Sequence, residues 1–194
     1  MFDIILASKS KVRLDILNKN NVVCSAKPSN IDEDEIKISM LKDGASPKDV
    51  SKNLAEIKAN KVSQNNLDKI VIGADSVIDL ENEIISKPKN RSEALEILRK
   101  LNGKTHFLIS SVCISKNGSM IWHYTDKAEL KMKTMTEDEL KLYLSKIEDE
   151  KLYAYNVYQI EGEGKNLFNS IKGDMNTIMG LPIKKIKQYL SNLK

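Results

Sequence analysis

One stretch of ten residues near the middle of the chain, "VIGADSVIDL" (Val71–Leu80), constrains the fold more than any other. Val71, Ile72, Val77 and Ile78 have the β-branched, apolar character of a buried strand, yet Asp75 sits among them beside Gly73, Ala74 and Ser76. An ionised carboxylate in such a strand is costly unless it is paired, hydrogen-bonded or bound to a metal. Burial disfavours the charged form and a nearby cation favours it, and either effect suits a general base or a metal ligand. The residues equally allow an Asp satisfied by backbone N–H groups at a strand end, with Gly73 marking a bulge.

The strand lies in a chain that mixes strands and helices. Phe2–Ala7 reads as a short apolar strand, and a helix is expected from near Ser10, with Val12, Ile16 and Leu17 at helical spacing. Val22–Lys27 suggests a second strand, followed by "PSNIDEDEIK" as an acidic connection. Ser46-Pro47-Lys48-Asp49 is a helix opening, and Val50, Leu54, Ile57 and Val62 form its apolar stripe, with Lys58 and Lys61 beside it.

Val71–Leu80 and Glu83–Ile85 read as a hairpin around Glu81-Asn82. Ser92 is expected to cap a helix through Leu101 that Gly103 ends. Two strands, Thr105–Ser115 and Ile121–Met132, flank a turn at Lys116-Asn117-Gly118. "TEDE" from Thr136 is a capping box, and Pro182 opens a last helix. Without regular βα alternation, the pattern predicts a mixed α/β or α+β fold.

No repeat or linker divides the 194 residues, so one domain with a sizeable core is expected. The N-terminus "MFDIILAS" lacks the basic and long apolar regions of a signal peptide, and no apolar run is long enough to span a bilayer. The expected compartment is the cytosol, with no membrane partner. Cys24 and Cys113 match no metal spacing and are expected to be reduced and packed. With His106 and His123 also isolated, a zinc site is disfavoured, while a hard cation on carboxylates stays open. The net charge is +4, but Lys and Asp/Glu are interspersed, which argues for a solvated surface rather than a nucleic-acid footprint. A few cations gathered in one cleft could still hold an anionic small molecule.

The other motifs are individually weak. "LASKSKVR" is a loop feeding a helix N-terminus, where free N–H groups, the Ser8 and Ser10 hydroxyls and Arg13 suit a phosphate. It lacks Walker glycines, and an N-cap serine with a surface arginine would look the same locally. Asp32, Glu33, Asp34 and Glu35 lack the glycine and late glutamate of an EF-hand, so a solvated loop is the default, with one metal ligand as the sharper option. Lys87 in "SKP" reads as a surface lysine. Gly162-x-Gly164 lacks the third glycine of a dinucleotide loop and reads as a turn.

Their order along the chain is specific. "LASKSKVRLDIL", "IDE", "LAEIKA", "GADS", "SKP" and "YQIEGEGKNLFNSIKGDMNTIMGLPI" together resemble the Maf family of nucleoside triphosphate pyrophosphatases, over nearly the whole chain. The resemblance implies two lobes around an elongated mixed sheet, similar to the inosine triphosphatase group, with the active cleft between them. It implies metal-dependent hydrolysis, with Mg²⁺ or Mn²⁺, of a nucleoside triphosphate to the monophosphate and pyrophosphate. A cytoplasmic chain and a homodimer are implied too.

On the same resemblance, Asp75 matches the proton acceptor, Ser8 and Arg13 match the phosphate loop, and Glu33, Lys58 and Lys87 match polar residues lining the cleft. Mg²⁺ favours few carboxylates with waters and phosphate oxygens, which makes Glu33 and Asp75 the candidate metal ligands. Gly73 and Ala74 would give room for a phosphate or metal. Val12, Ser76 and Gln159 match positions tied to substrate choice. Lys11 and Val12 replace the family's Pro and first Arg, and Ser76 replaces a frequent Thr. Loss of an arginine there is not conservative, which opens modified-base or broad specificity. The competing expectation is a catalytically weakened nucleotide- or RNA-binding module.

Overall fold

The computed structural model describes residues 3–154 and 157–193. In chain order they form β1 (Ile4–Leu6), α1 (Lys11–Lys19), β2 (Ser25–Ala26), α2 (Glu33–Lys42), α3 (Pro47–Gln64), β3 (Ile70–Leu80), β4 (Glu83–Ile85) and α4 (Arg91–Leu101). Then follow β5 (Thr105–Lys116), β6 (Ser119–Met132), α5 (Glu137–Ser145), α6 (Asp149–Ala154), a 3₁₀ turn at Glu163–Leu167, β7 (Phe168–Lys172), α7 (Met175–Ile178) and α8 (Ile183–Asn192). Parallel and antiparallel pairs share one open sheet, so the fold is of the mixed α/β class. Phe2, in the expected first strand, lies outside the described residues.

The caps explain most boundaries. The Ser10, Ser46 and Thr136 side chains accept from the N–H three residues on, and Glu139 completes the expected capping box. Glu81-Asn82 and Asn117-Gly118 all have positive φ, the signature of tight two-residue hairpin turns. Gly103 follows α4 at φ 69°.

Three expectations need correction. The acidic set is not a loop: Asp32 caps α2, and Glu33, Asp34 and Glu35 form its first turn, where carboxylates oppose the helix dipole. No residue of α2 is fully buried, so it carries no apolar stripe to read. Asn90, not Ser92, caps α4, because its side chain accepts from the Glu93 N–H. In α3 the inward face includes Ser51, Ala55, Lys58, Ala59 and Val62, whereas Ile57 faces out.

The chain divides into two compact units. The first comprises Met1–Val77, Ile109–Lys127 and Asp174–Lys194. Its strands neighbour one another in the order β2-β1-β3-β5-β6, and β1 runs parallel to β2 and β3 with Ile4 opposite Ile70 and Leu6 opposite Ile72. Leu6, Leu17, Ile72, Ile114, Leu181 and Ile186 are fully buried at its centre.

The second unit comprises Ile78–Leu108 and Ala128–Gly173. There β4 pairs antiparallel with the end of β3, and β7 with the end of β6. Helices α4 and α5 pack together, joined by Arg99–Glu137 and by Arg91 donating to the carbonyls of Leu144 and Ile147 at 2.7 Å each. His106 is fully buried; its Nε2 meets the Tyr158 hydroxyl at 2.9 Å, and its ring packs against Tyr158 and Phe168. Burial pulls its pKa down to about 4, so His106 is neutral at physiological pH.

Candidate active site

The site is built where α3 meets β3 in the first unit. A Cβ on Gly73 would lie 2.2 Å from the Ala55 carbonyl oxygen and 2.7 Å from the Ala59 nitrogen. Helix and strand therefore touch backbone to backbone, which only a residue without a side chain permits. The helix meets this with small residues at one-turn spacing, Ser51, Ala55 and Ala59. The space beside Gly73 is thus filled by the helix rather than left for a phosphate, and the role of the glycine is to admit α3 against β3.

That close approach delivers two polar groups to Asp75. The Ser51 hydroxyl donates to the Asp75 carbonyl at 3.1 Å, and Lys58 Nζ donates to Asp75 Oδ1 at 2.8 Å. Lys58 and Asp75 are each only 4% exposed. Lys58 Nζ also lies 2.8 Å from Glu33 Oε2, so one ammonium bridges two carboxylates. Desolvating each charge costs several kcal/mol, so the pairing chiefly offsets burial and fixes orientation rather than adding net stability.

Asp75 Oδ2, by contrast, is buried and has no hydrogen-bond partner among the described residues. The strand carboxylate is therefore clamped by one oxygen and unpartnered at the other, among the described residues. Burial alone would raise the pKa of Glu33, but Lys58, helped by Lys37 and Arg13, outweighs it and holds the carboxyl below its ordinary range.

The loop before α1 brings further polar groups to the site. The Ser10 N–H donates to Ser8 Oγ at 3.1 Å, and Ser10 Oγ caps the helix by accepting from the Arg13 N–H at 3.3 Å. Both hydroxyl protons remain available to an incoming oxygen, beside the unpaired N–H groups of the first helical turn. Arg13 connects this loop to the strand. Its Nη1 donates to the Ala74 carbonyl at 2.8 Å and to Ser8 Oγ at 3.4 Å, its Nη2 to Ser76 Oγ at 3.1 Å, and its Nε to the Gly180 carbonyl at 3.0 Å. Burial lowers its pKa, opposed by Asp75 and Glu33, and it stays a cation.

Ser8, Ser10, Arg13, Glu33, Lys58, Asp75 and Ser76 are thus brought together in the first unit. Val12, on the same helix as Arg13, is half-buried against the apolar cluster. Lys87 and Gln159 belong to the second unit. Lys87 lines an open pocket of about 650 Å³ with Glu83, Ser86, Arg99 and Lys100. Gln159 sits in a tight turn: its carbonyl accepts from the Gly162 N–H at 3.0 Å, and a Cβ on Gly164 would come within 2.6 Å of that carbonyl oxygen.

Sequence reasoning misses Ser51, Ser110, Thr177 and Gly180. Ser51 is legible as the first of three small residues at four-residue spacing, and Ser110 as a polar break in the apolar run "LISSVCI". Nothing local marks Thr177.

Two carboxylates and two cations, Glu33 and Asp75 against Lys58 and Arg13, nearly cancel in charge. A triphosphate bringing roughly four negative charges would need further cations. Among the described residues no third His, Cys, Asp or Glu joins the two carboxylates to make a metal cage. The donor set therefore fits a hard divalent ion that keeps waters and phosphate oxygens as most of its ligands. No helix among the described residues is long and apolar enough to cross a membrane.

The family profile for Maf-like proteins matches residues 3–193. The chain is 66% identical over 192 residues to a nucleoside triphosphate pyrophosphatase of Pelagibacter ubique (strain HTCC1062), covering 99% of this chain and 98% of that one. It is 37% identical over 180 residues to a 7-methyl-GTP pyrophosphatase of Rhizobium etli, covering 93% and 90%. Among solved structures, the Staphylococcus aureus Ham1 protein aligns over 99% of this chain and 100% of its own, with a TM-score of 0.49 and 15% identity, a likeness too slight to add weight.

Proposed function

Because the chain belongs to the Maf-like family, we propose that it is a nucleoside triphosphate pyrophosphatase, releasing the monophosphate and pyrophosphate. The observation that carries this reading is the asymmetry of Asp75: Oδ1 is held by Lys58, while Oδ2 is buried and unpartnered among the described residues. A carboxylate oriented in this way can accept a proton at a defined atom.

In the proposed reaction the Ser8–Ser10 loop and the start of α1 bind phosphate oxygens. A water oxygen attacks the α-phosphorus, the bond to the bridging oxygen of the β-phosphate breaks, and the water proton passes to Asp75 Oδ2. Pyrophosphate leaves with the electron pair of the broken bond. Lys58 keeps Asp75 aimed through its bond to Oδ1, and Glu33 shares that cation so that it does not swing away. Asp75 and Glu33 are also the residues that would hold Mg²⁺ or Mn²⁺. When bound, the cation would neutralise charge on the phosphate oxygens.

The same proposal covers the second unit and the setting. Lys87 is assigned a cationic contact with substrate, and Val12, Ser76 and Gln159 the choice of base, with modified or non-standard nucleotides as the class removed. We take the whole chain as one functional domain, cytosolic and dimeric; the family resemblance supports these points. The alternative of a weakened nucleotide- or RNA-binding module is not favoured, since the carboxylate, its lysine and the phosphate loop are all present. Incubating the protein with a panel of standard and modified nucleoside triphosphates and Mg²⁺ or Mn²⁺ tests the reading. Pyrophosphate and monophosphate are the expected products; orthophosphate without pyrophosphate would overturn it.

A further inference from the structure

The C-terminal segment "GDMNTIMG" (Gly173–Gly180) makes no hydrogen bond to the side chains of Asp75 or Lys58 among the described residues, yet polar contacts fasten it from three sides. The Thr177 hydroxyl donates to Asp126 Oδ2 at 2.7 Å, the Thr177 carbonyl accepts from Ser110 Oγ at 2.7 Å, and the Gly180 carbonyl accepts from Arg13 Nε at 3.0 Å. Ser110 and Thr177 are fully buried. Buried hydroxyls are retained in an apolar sheet only where their hydrogen bonds are made, so each has a defined partner.

The direction of these bonds is forced. A carbonyl can only accept, so the Ser110 proton points to Thr177. The 2.8 Å contact between Ser76 Oγ and Ser110 Oγ must then use the Ser76 proton. With its proton committed, Ser76 Oγ faces Arg13 Nη2 as an acceptor at 3.1 Å. A single ordered relay therefore runs Arg13 to Ser76 to Ser110 to the Thr177 carbonyl. Gly180 is fitted to the same purpose. Its φ is +98°, and a Cβ there would lie 3.1 Å from Ser76 Oγ and 3.4 Å from Arg13 Nε, so a side chain would press on both ends of the clamp.

We propose that Ser110 is a positioning residue for the hydrolytic site, and that Ser110 with Thr177 and Gly180 forms a strut that holds the Arg13 guanidinium in one orientation. Arg13 in turn ties Ser8 to the Ala74 carbonyl, one residue before Asp75, so the strut sets the phosphate loop against the reacting carboxylate. The inference rests on the pyrophosphatase reading for its catalytic consequence, but the clamp itself does not. It also reassigns Ser76: its proton serves Ser110, so it acts on a substrate through Arg13 rather than by donating to the base.

The experiment compares Ser110→Ala, which removes the relay, with Ser110→Thr, which keeps a hydroxyl. We expect Ser110→Ala to lower kcat by roughly 10- to 100-fold, as small misplacements of a phosphate clamp do, with KM changed about threefold or less. Ser110→Thr is expected to restore most of the loss. The second readout is the Arg13 Nε–H signal by ¹⁵N NMR without nucleotide, slow to exchange in the parent protein and broadened or lost in Ser110→Ala. Unchanged kcat and an unchanged Nε–H signal in a folded Ser110→Ala would overturn the proposal, even if its melting temperature falls. If Ser110→Ala does not fold, Ser76→Ala takes its place: lower kcat with a broadened Nε–H signal supports the strut, and no change in either overturns it. A parent protein that releases no pyrophosphate would sink the functional reading, and the Nε–H comparison would still decide the strut.

Discussion

Lys58 Nζ stands 2.8 Å from Asp75 Oδ1 and 2.8 Å from Glu33 Oε2, so a buried lysine holds a strand carboxylate and a helix carboxylate at once. The relationship depends on three levels of the sequence. Asp32 caps a helix that presents Glu33, small residues on α3 turn Lys58 inward, and Gly73 lets that helix reach the strand carrying Asp75.

Removing the lysine strands the carboxylate. In Lys58→Met, the Asp75 charge is left in an apolar setting without its cation at Oδ1, a change expected to destabilise the fold by about 3 kcal/mol. Urea denaturation checks this, with a lowered midpoint and an unchanged slope as the expected result. A midpoint equal to that of the parent would show that the bridge does not carry the burial of Asp75.

Gly73→Ala tests the helix–strand contact. A methyl group cannot sit 2.2 Å from a backbone oxygen, so α3 must retreat and take Lys58 with it. The expected loss is about 3 kcal/mol or more, at the upper end for overpacking because the obstruction is backbone rather than a flexible side chain. Activity should fall in parallel. A variant as stable and active as the parent would contradict the close approach.

Glu33 predicts a pH dependence. Its folded pKa lies below the ordinary 4.5, so its stabilising effect is present above that value and is lost as pH falls through the lower folded one. Glu33→Gln should therefore flatten the part of the stability profile just below pH 4.5 relative to the parent. Parallel profiles for the two proteins would contradict the ion pair.

His106 predicts a second, separate window. Its pKa falls from 6.5 to about 4 on folding, so the unfolded chain takes up the proton first on acidification. The stability it contributes is full above pH 6.5 and declines until about pH 4. The decline is on the order of 3 kcal/mol. Urea midpoints across this range should fall less steeply in His106→Gln than in the parent protein.

The parts of this molecule that are legible in the sequence are those encoded locally. The Ser46-Pro47 opening, the Thr136 capping box and the Glu81-Asn82 turn depend on neighbours within four residues, and the structure has each where its residues place it. Helix α2 escapes a sequence reading because no residue of it is fully buried, leaving no periodic stripe to detect. The close packing that requires Gly73 is not legible locally, because its cause lies on another element, 14 to 18 residues earlier, at Ala55 and Ala59. The Ser110–Thr177 bond joins residues 67 apart, and neither side chain type signals a partner in advance. Asp75 stands out as an anomaly from its strand alone. Its lysine emerges only from the ordered family motifs, since Lys58 in isolation looks like a surface residue beside an apolar stripe.

The most direct test of the central claim is the turnover of Asp75→Asn. Asparagine keeps the shape of the side chain and removes the charge at Oδ2, while Lys58 retains Glu33 as a partner. The account predicts a folded protein by circular dichroism whose pyrophosphate release falls by about 10³-fold at saturating nucleotide and metal. A folded Asp75→Asn variant that keeps more than about a tenth of the parent's kcat would contradict it.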